Sequence, residues 1–176
     1  KEVIFTSGAT ESNNLAIRGV AEFYKDRKNN IVTTVTEHKR VLDTCRHLEQ
    51  NGFEVTYLPV QKNGLIDLEE LRAAITDKTV VVSIMAVNNE IGVMQPIQAL
   101  AERAKSNGAV FHTDAVQAFG KLNIDERTTP VDVLSHSGQR IGAPRGIGAL
   151  YIGRRSPLRP LRFCGPPARG RRAGAG

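Results

Sequence analysis

The residues of this chain that could do chemistry stand directly after its apolar, β-branched runs. Asp114 follows the run Ala109–Thr113, and Gln117 lies about one helical turn later. A carboxylate buried at a strand end needs a partner. The protonated nitrogen of an aromatic ring would suit it, because the ion pair also makes the ring a better electron sink. Alternatively, Asp114 only caps a helix over residues 115–119.

A stretch of small and hydroxyl residues follows the first apolar run. Its sequence is Thr6-Ser7-Gly8-Ala9-Thr10-Glu11-Ser12-Asn13-Asn14, and it leads into a helical pattern. Small residues let backbone N–H groups converge on an anion at a helix N-terminus. An N-cap formed by Thr10 after a tight glycine turn explains the same residues without a ligand.

Three further strand ends carry polar side chains. In Glu37-His38-Lys39, the imidazole of His38 could stack on a planar ligand or shuttle protons, or it could be a surface group at a helix start. The amides of Asn88-Asn89 could bind ligand oxygens or form a turn. In Ser135-His136-Ser137 the hydroxyls point to the same rim, whereas the imidazole alternates to the other side and is not counted in the site.

Apolar runs that alternate with helical patterns must position these residues. Strands are predicted at 3–6, 31–35, 53–58, 79–85, 109–113, 131–135 and 147–152, and helices at 11–27, 39–51, 67–76, 96–107 and 115–119. This alternation predicts a three-layer α/β/α fold with a mainly parallel seven-stranded sheet, whose last strand returns antiparallel at an edge. Ligands bind at the carboxyl ends of such strands, so one shared site is expected.

Helix boundaries and sheet centre also have local signals. Asp67 is predicted as an N-cap and Pro96 as part of a first helical turn. Gly52 and Gly108 are predicted to end helices. The runs Val80–Met85 and Ala109–Thr113 suit central strands that are covered on both faces.

The basic charge is concentrated in one segment. Residues 153–176 hold seven of the 24 basic residues and no acidic residue, which leaves 17 basic and 18 acidic residues elsewhere. A nucleic-acid-binding protein shows its basic residues on a folded face, so the net charge of +6 does not indicate that function. We predict a partial domain at 1–152 and a disordered basic Pro/Gly/Arg tail at 153–176.

Other features favour a cytoplasmic protein. No apolar stretch approaches the roughly 20 residues of a membrane span. The first residues, Lys1–Phe5, resemble the start of a core strand rather than a signal or transit peptide. Cys45 and Cys164 form no metal or disulfide pattern, and Cys45 is predicted to lie in the core.

Taken together, the segments resemble the cysteine desulfurases of iron–sulfur cluster assembly, which are class V, fold-type I enzymes that use pyridoxal 5'-phosphate (PLP). The resemblance runs from Lys1 to about Ile152 and rests on specific motifs. These motifs are Ser7-Gly8-Ala9-Thr10-Glu11-Ser12-Asn13-Asn14, Thr36-Glu37-His38-Lys39, Val87-Asn88-Asn89-Glu90-Ile91-Gly92 and His112-Thr113-Asp114-Ala115-Val116-Gln117. The resemblance implies the large domain of a PLP-dependent transferase.

The resemblance implies two groups of cofactor-binding residues. Ala9, Thr10 and Ser137 would hold the phosphate of PLP, and Gln139 occupies the place of a histidine that also serves it. Around the ring, His38 would stack and assist proton transfer, and Asn89 would fix cofactor and substrate. Asp114 would pair with the protonated ring nitrogen, and Gln117 would bind the ring oxygen.

The implied reaction converts L-cysteine to L-alanine and passes sulfur on as a persulfide. A cysteine on a mobile loop attacks the substrate sulfur, and a scaffold or acceptor protein receives it. Family members are homodimers. The resemblance implies neither a nucleic-acid nor a membrane partner.

The chain departs from the family at the residue that binds the cofactor covalently. Where the family has Ser-Gly-His-Lys, this chain has Ser137-Gly138-Gln139-Arg140. The lysine would form the Schiff base, and a guanidinium offers no usable nucleophile because its pKa lies above about 12. The loop cysteine and small C-terminal domain are also expected to be missing, and the tail resembles a damaged family stretch. We therefore expect no activity from this chain.

Two other interpretations remain open at this point. One is a non-catalytic remnant or pseudoenzyme that binds PLP weakly or binds a desulfurase partner. The other is another class V member, such as a selenocysteine lyase or an aminotransferase, although the Thr36–Lys39 and Asn88–Gly92 motifs favour the desulfurase.

Overall fold

The computed structural model describes residues 2–88, 90–118, 124–125, 128–138, 146–153, 156, 167–168 and 172–173. The elements in chain order are β1 (Glu2–Thr6), α1 (Ala9–Tyr24), β2 (Asn30–Thr34), α2 (Lys39–Gln50), β3 (Glu54–Leu58), α3 (Leu68–Ala74), β4 (Thr79–Ser83), α4 (Ile97–Ser106), β5 (Val110–Asp114), β6 (Val133–Ser137), β7 (Gly148–Ile152), β8 (Pro167–Ala168) and β9 (Arg172–Ala173).

Seven strands form one sheet in the order β1-β7-β6-β5-β4-β2-β3. Strand β7 is antiparallel to both of its neighbours, and every other neighbouring pair in this sheet is parallel. The predicted mainly parallel seven-stranded sheet is confirmed. Strands β4 and β5 lie near the centre of the sheet and are buried, as their sequences predict.

The position predicted for β7 is wrong, although its direction is right. It lies one place in from the edge, because β1 pairs along its outer side with Ile4 opposite Leu150. Leu150 and Ile152 are almost fully buried. A strand this deep in the core needs a hydrogen-bonding neighbour on each side.

Helices cover both faces of the sheet, which confirms the three-layer prediction. On one face α1 and α2 pack together over a core that includes Ile17, Ile31 and Leu150. On the other face α3 and α4 pack together over a core that includes Leu100 and Phe111.

Helix α2 shows why the sequence folds locally as it does. Its buried residues Val41, Thr44, Cys45 and Leu48 recur at the spacing of one helical face. Burial raises the pKa of Cys45 to about 12. The prediction that Cys45 is a core residue is confirmed.

Most predicted helix ends agree with the structure. The Asp67 carboxylate accepts a hydrogen bond from the Glu69 N–H at 2.8 Å and caps α3. Gly52 and Gly108 follow α2 and α4 with φ of 89° and 73°. Pro96 occupies the N-cap of α4 rather than its first turn.

The helix predicted over 115–119 is not a helix in the described part of that range. Residues 116–118 form a turn, and residue 119 lies outside the described residues. Ala115, Val116 and Ala118 are all buried. The apolar residues that suggested a helix therefore pack on several sides instead of forming one face.

The basic tail contains a feature that the sequence did not predict. Strands β8 and β9 pair antiparallel with each other, and the other described residues of 153–176 are 153 and 156. The domain division at residue 152 stays a prediction. Across the described part of the chain, the helices are too short or too polar to span a bilayer.

Candidate active site at the carboxyl ends of the strands

A buried carboxylate at the end of the central strand β5 lies at the heart of the candidate site. Asp114 is 2 % exposed. Its Oδ2 accepts a hydrogen bond from Asn13 Nδ2 of α1 at 2.8 Å and lies 3.6 Å from Nε of Arg40 of α2. Its Oδ1 accepts from the Val116 N–H at 3.1 Å. Two helix starts thus converge on one strand end, and Asp114 stabilises a turn rather than capping a helix.

The start of α1 lies beside the end of the sheet. Gly8 is the N-cap and brings no side chain, so the alternative of an N-cap formed by Thr10 is wrong. Glu11 instead accepts from both the N–H and the hydroxyl of Ser7, at 2.6 Å each. Ala9 is buried and Thr10 is exposed in the first turn. The first N–H groups of a helix have no acceptor inside it, so they suit an anion.

Close backbone packing fixes this helix start over β7. A Cβ atom added to Gly148 would lie 2.5 Å from Thr6 Oγ1 and 2.6 Å from Cα of Gly8. Gly8 has φ of 150°, which side chains rarely adopt. The loop after β1 therefore lies directly on β7, and any side chain at Gly148 would lift it away.

The strand register places Ser137, the second serine of β6, next to the start of α1. Thr6 is opposite Gly148, and Gly148 is in turn opposite Ser137. Ser137 is buried, and it lies two residues beyond Ser135, the partner of Asp114. The α1 start, Ser137 and the end of β5 thus form one continuous rim.

His38 caps α2 and is held by Arg40. Its Nδ1 accepts hydrogen bonds from Arg40 Nε at 2.9 Å and from the Arg40 backbone N–H at 3.2 Å. Burial, followed by the charge of Arg40, lowers the pKa of His38. Because Nδ1 is an acceptor, the proton of the neutral ring resides on Nε2. His38 is exposed at the start of α2, which agrees with the alternative of a surface group at a helix start, and stacking on a planar ligand stays a prediction.

Asn88 is a turn residue that joins two loops. Its Oδ1 accepts from the N–H groups of Glu90 and Ile91 at 2.8 and 3.2 Å, and its Nδ2 donates to the Thr36 carbonyl at 2.8 Å. Gln117 is half-buried in the turn after β5. Asn89, Gln139 and Arg140 lie outside the described residues.

Glu37 received no role from the sequence, yet it is a buried acid at this rim. Its Oε1 accepts from the Met85 N–H at 2.7 Å and from Thr34 Oγ1 at 3.3 Å. Its Oε2 has no hydrogen-bond partner among the residues that the structure describes. Burial raises the pKa of Glu37 to about 8. The signal available in the sequence was its place directly before His38, at the end of a buried strand.

A buried polar row beneath α1 was also missed. His112 is hydrogen-bonded through Nδ1 to Ser83 at 2.8 Å and through Nε2 to Ser135 at 2.9 Å. Thr33 Oγ1 donates to the Ser83 carbonyl at 2.8 Å. Burial lowers the pKa of His112 to about 4, so it is neutral at pH 7. His112 lies two residues before Asp114 in the same strand, so the two side chains point to the same face of the sheet. This spacing was the signal in the sequence that could have identified His112 as a buried polar residue near the site.

Within the described segments, no group of three or more histidine, cysteine or carboxylate side chains could hold a metal ion. The rim instead offers a helix N-terminus, hydroxyls and one oriented carboxylate. These groups suit a ligand with an anionic end and a cationic, planar end.

Curated relatives match nearly the whole of this chain. It is 60% identical to "Cysteine desulfurase IscS" of Ehrlichia chaffeensis over 99% of this chain and 43% of that protein. It is 58% identical to "Probable cysteine desulfurase, mitochondrial" of Dictyostelium discoideum over 99% of this chain and 39% of that protein. The chain therefore spans about two fifths of the length of these relatives.

Solved structures show the same fold. A "NIFS-LIKE PROTEIN" superimposes with a TM-score of 0.94 at 41% identity, over 99% of this chain and 48% of that one. "SspA in complex with cysteine" superimposes with a TM-score of 0.92 at 44% identity, over 99% of this chain and 51% of that one.

The family model described as "Aminotransferase class-V" matches residues 1–168. The elements that carry the rim, from β1 to β7, all lie within that match. This chain belongs to the aminotransferase class-V family.

Proposed function

We propose that this chain is part of the PLP-binding large domain of a cysteine desulfurase. The whole protein would convert L-cysteine to L-alanine and pass the sulfur on as a persulfide for iron–sulfur cluster assembly. The observation that carries the proposal is Asp114, a carboxylate buried at the end of a central strand and oriented by Asn13. The family implies PLP, and the names of the relatives point to the desulfurase reaction.

The described residues fit PLP at both of its ends. The start of α1, with Ala9 and Thr10, would donate backbone N–H groups to the phosphate, and Ser137 would add its hydroxyl. Asp114 would pair with the protonated ring nitrogen, because a nearby carboxylate favours the charged form of a base. The uncapped helix start at Gly8 and the unpartnered Oδ1 of buried Asn13, among the described residues, support this fit.

Other residues would orient the ring and its substrate. Gln117 would hydrogen-bond the ring oxygen from the turn after β5, and His38 would stack on the ring. We assign the contacts of Asn89 and Gln139 from the resemblance alone. PLP supplies an electron sink that weakens the bonds at the α-carbon of an amino acid.

This chain's own residues would then manage charge and protons. Asp114 would keep the ring nitrogen protonated, because an adjacent carboxylate favours the charged form of a base. His38 would donate or accept the proton at Nε2, because the backbone N–H of Arg40 donates to its Nδ1. Cys45 would not carry sulfur, because it is buried and its pKa of about 12 keeps it a thiol.

We propose that the chain as given is inactive in catalysis, because Arg140 stands where the family has its Schiff-base lysine. This substitution also supports a second candidate, a pseudoenzyme that binds PLP without a covalent bond or binds a desulfurase partner. A selenocysteine lyase or another class V aminotransferase has less support, because the named relatives are desulfurases. Homodimer formation, a sulfur-acceptor protein and a cytoplasmic location complete the proposal.

Borohydride trapping tests the cofactor assignment. The wild-type chain and Arg140→Lys are mixed with PLP, reduced, digested and mapped by mass spectrometry. We expect a pyridoxyl adduct at residue 140 only in Arg140→Lys, and spectroscopic binding of PLP to both. Absence of PLP binding to both proteins would refute the proposed cofactor site. An adduct at Arg140 would refute the proposed loss of covalent binding.

A further inference from the structure

The side chain of Arg40 lies between two groups that the proposed function assigns to the cofactor ring. Its Nε lies 3.6 Å from Oδ2 of Asp114 and donates a hydrogen bond to Nδ1 of His38 at 2.9 Å. Nε carries one hydrogen, which is donated to His38. The interaction of Arg40 with Asp114 is therefore an attraction between charges and not a hydrogen bond from Nε. Arg40 is 16 % exposed, and Asp114 is 2 % exposed.

The guanidinium of Arg40 already supplies the positive charge that the ring nitrogen of the cofactor would bring to Asp114. A carboxylate this deeply buried needs a counter-charge, and removing the counter-charge leaves a desolvated anion. Asn13 supplies a neutral donor to the same oxygen. Among the ion pairs described in the structure, the one made by Asp114 is with Arg40. A cationic ring that approaches Asp114 therefore meets a cation already in place.

We propose that Arg40 is a built-in counter-ion that competes with the ring nitrogen of the cofactor for Asp114 and must leave Asp114 before the ring can bind. The inference rests on the proposed function, because it assumes that a pyridine ring binds at Asp114. It makes Arg40 a determinant of cofactor affinity in this chain. His38 is coupled to the same movement, because it loses the hydrogen bond from Arg40 Nε and keeps only the one from the Arg40 backbone N–H.

Calorimetric titration with pyridoxine 5'-phosphate tests the competition. This probe has the ring nitrogen and the phosphate but no aldehyde, so it forms no Schiff base with a lysine side chain. We expect Arg40→Met to bind the probe about fivefold more tightly than wild type. Arg46→Met is the matched control, because Arg46 lies on the same helix and pairs with Asp43 on its exposed side. It should bind like wild type.

A double-mutant cycle assigns the gain to Asp114. In an Asp114→Asn background, Arg40→Met should give no gain in affinity, because there is no carboxylate left to compete for. A gain of the same size in that background would overturn the inference.

A second readout follows the side chain itself. In ¹⁵N spectra of the wild type, the Arg40 Nε–H signal, identified by its loss in Arg40→Met, should shift and exchange faster with solvent when the probe saturates the site. An unchanged signal at saturation would overturn the inference. Equal affinities of wild type and Arg40→Met would overturn it while leaving the proposed function intact. Absence of binding to every variant would overturn both.

Discussion

The two faces of the sheet differ in the polar side chains that they bury. Under α3 and α4 the sheet contributes Val32, Val82 and Phe111 to a core of apolar side chains. Under α1 and α2 it contributes apolar side chains such as Ile31 and Leu150. This face also buries His112, with Ser83 and Ser135 hydrogen-bonded to its ring. The comparison indicates that apolar packing holds both faces, and that the α1/α2 face in addition buries polar groups close to Asp114 at the rim.

The largest loss of stability is expected on the α3/α4 face. Phe111 is fully buried there. We expect Phe111→Ala to lower the free energy of unfolding by about 3–5 kcal/mol, because it leaves a large cavity. Urea denaturation measures the loss. The control is Leu134→Ala at a half-buried position of the same core, which should lose less. Equal losses would show that this face is not closely packed.

A smaller loss of stability is expected when the hydrogen bonds of His112, on the other face of the sheet, are removed. His112→Ala removes the partner of two buried hydroxyls, so we expect a loss of about 2–3 kcal/mol in the free energy of unfolding. His112→Gln can keep one of these hydrogen bonds and should lose less. Equal losses in the two variants would mean that packing, rather than hydrogen bonding, makes His112 important.

His112 should also make stability depend on pH. Its pKa is lowered from 6.5 to about 4 in the folded state, so the unfolded chain binds the proton first as the pH falls. The stabilisation is present above pH 6.5 and is lost between about pH 6.5 and 4, up to about 3 kcal/mol. Urea denaturation of wild type and His112→Gln over this range should show a flatter profile in the variant. Parallel profiles would contradict this assignment.

Glu37 should give the opposite dependence. Its pKa is raised from 4.5 to about 8, so the folded state holds the proton more tightly and loses stability as the pH rises through that range. At pH 9 we expect Glu37→Gln to be roughly 4–5 kcal/mol more stable than wild type, and at pH 5 to differ from it by about 1 kcal/mol or less. Glu54→Gln, at an exposed position of β3, serves as the control. A constant difference between pH 5 and 9 would exclude titration of Glu37 as the cause.

The smallest effect is expected outside both faces. Asp43 pairs with Lys39 and Arg46 on the exposed side of α2. Exposed ion pairs contribute little because water screens them, so Asp43→Ala should leave the urea midpoint unchanged. A clear shift in the midpoint would show that these charges act together with the buried site.

Local sequence predicted most of the fold, because its signals are local. Alternating apolar runs, Asp67 before α3 and the glycines after α2 and α4 mark elements whose hydrogen bonds close within a few residues. The place of β7 was mispredicted because its pairing with β1 joins residues at opposite ends of the sheet's sequence. The turn at 116–118 was mispredicted because burial on several sides resembles a helix pattern.

The site was predictable where polar residues end strands, as at Asp114 and His38. Glu37 and Arg40 were not recognised, because their roles depend on burial and on contacts between separate elements. In the sequence, nothing next to Arg40 distinguishes it from an arginine on the surface of a helix. Its contact with Asp114 joins α2 to β5 and exists only in three dimensions.

The pairing of β1 with β7 has a consequence for the order of events during synthesis. Strand β1 leaves the ribosome well before its hydrogen-bonding partner β7, because Ile4 lies opposite Leu150, 146 residues further along the chain. The loop that carries Gly8 packs against Gly148, so it has no packing partner there until that residue has been synthesised. We expect nascent chains that stop before β7 to be cleaved by protease in the Thr6–Asn14 segment, and chains that extend past Ile152 to resist. The start of α1 would thus be the last part of the rim to form.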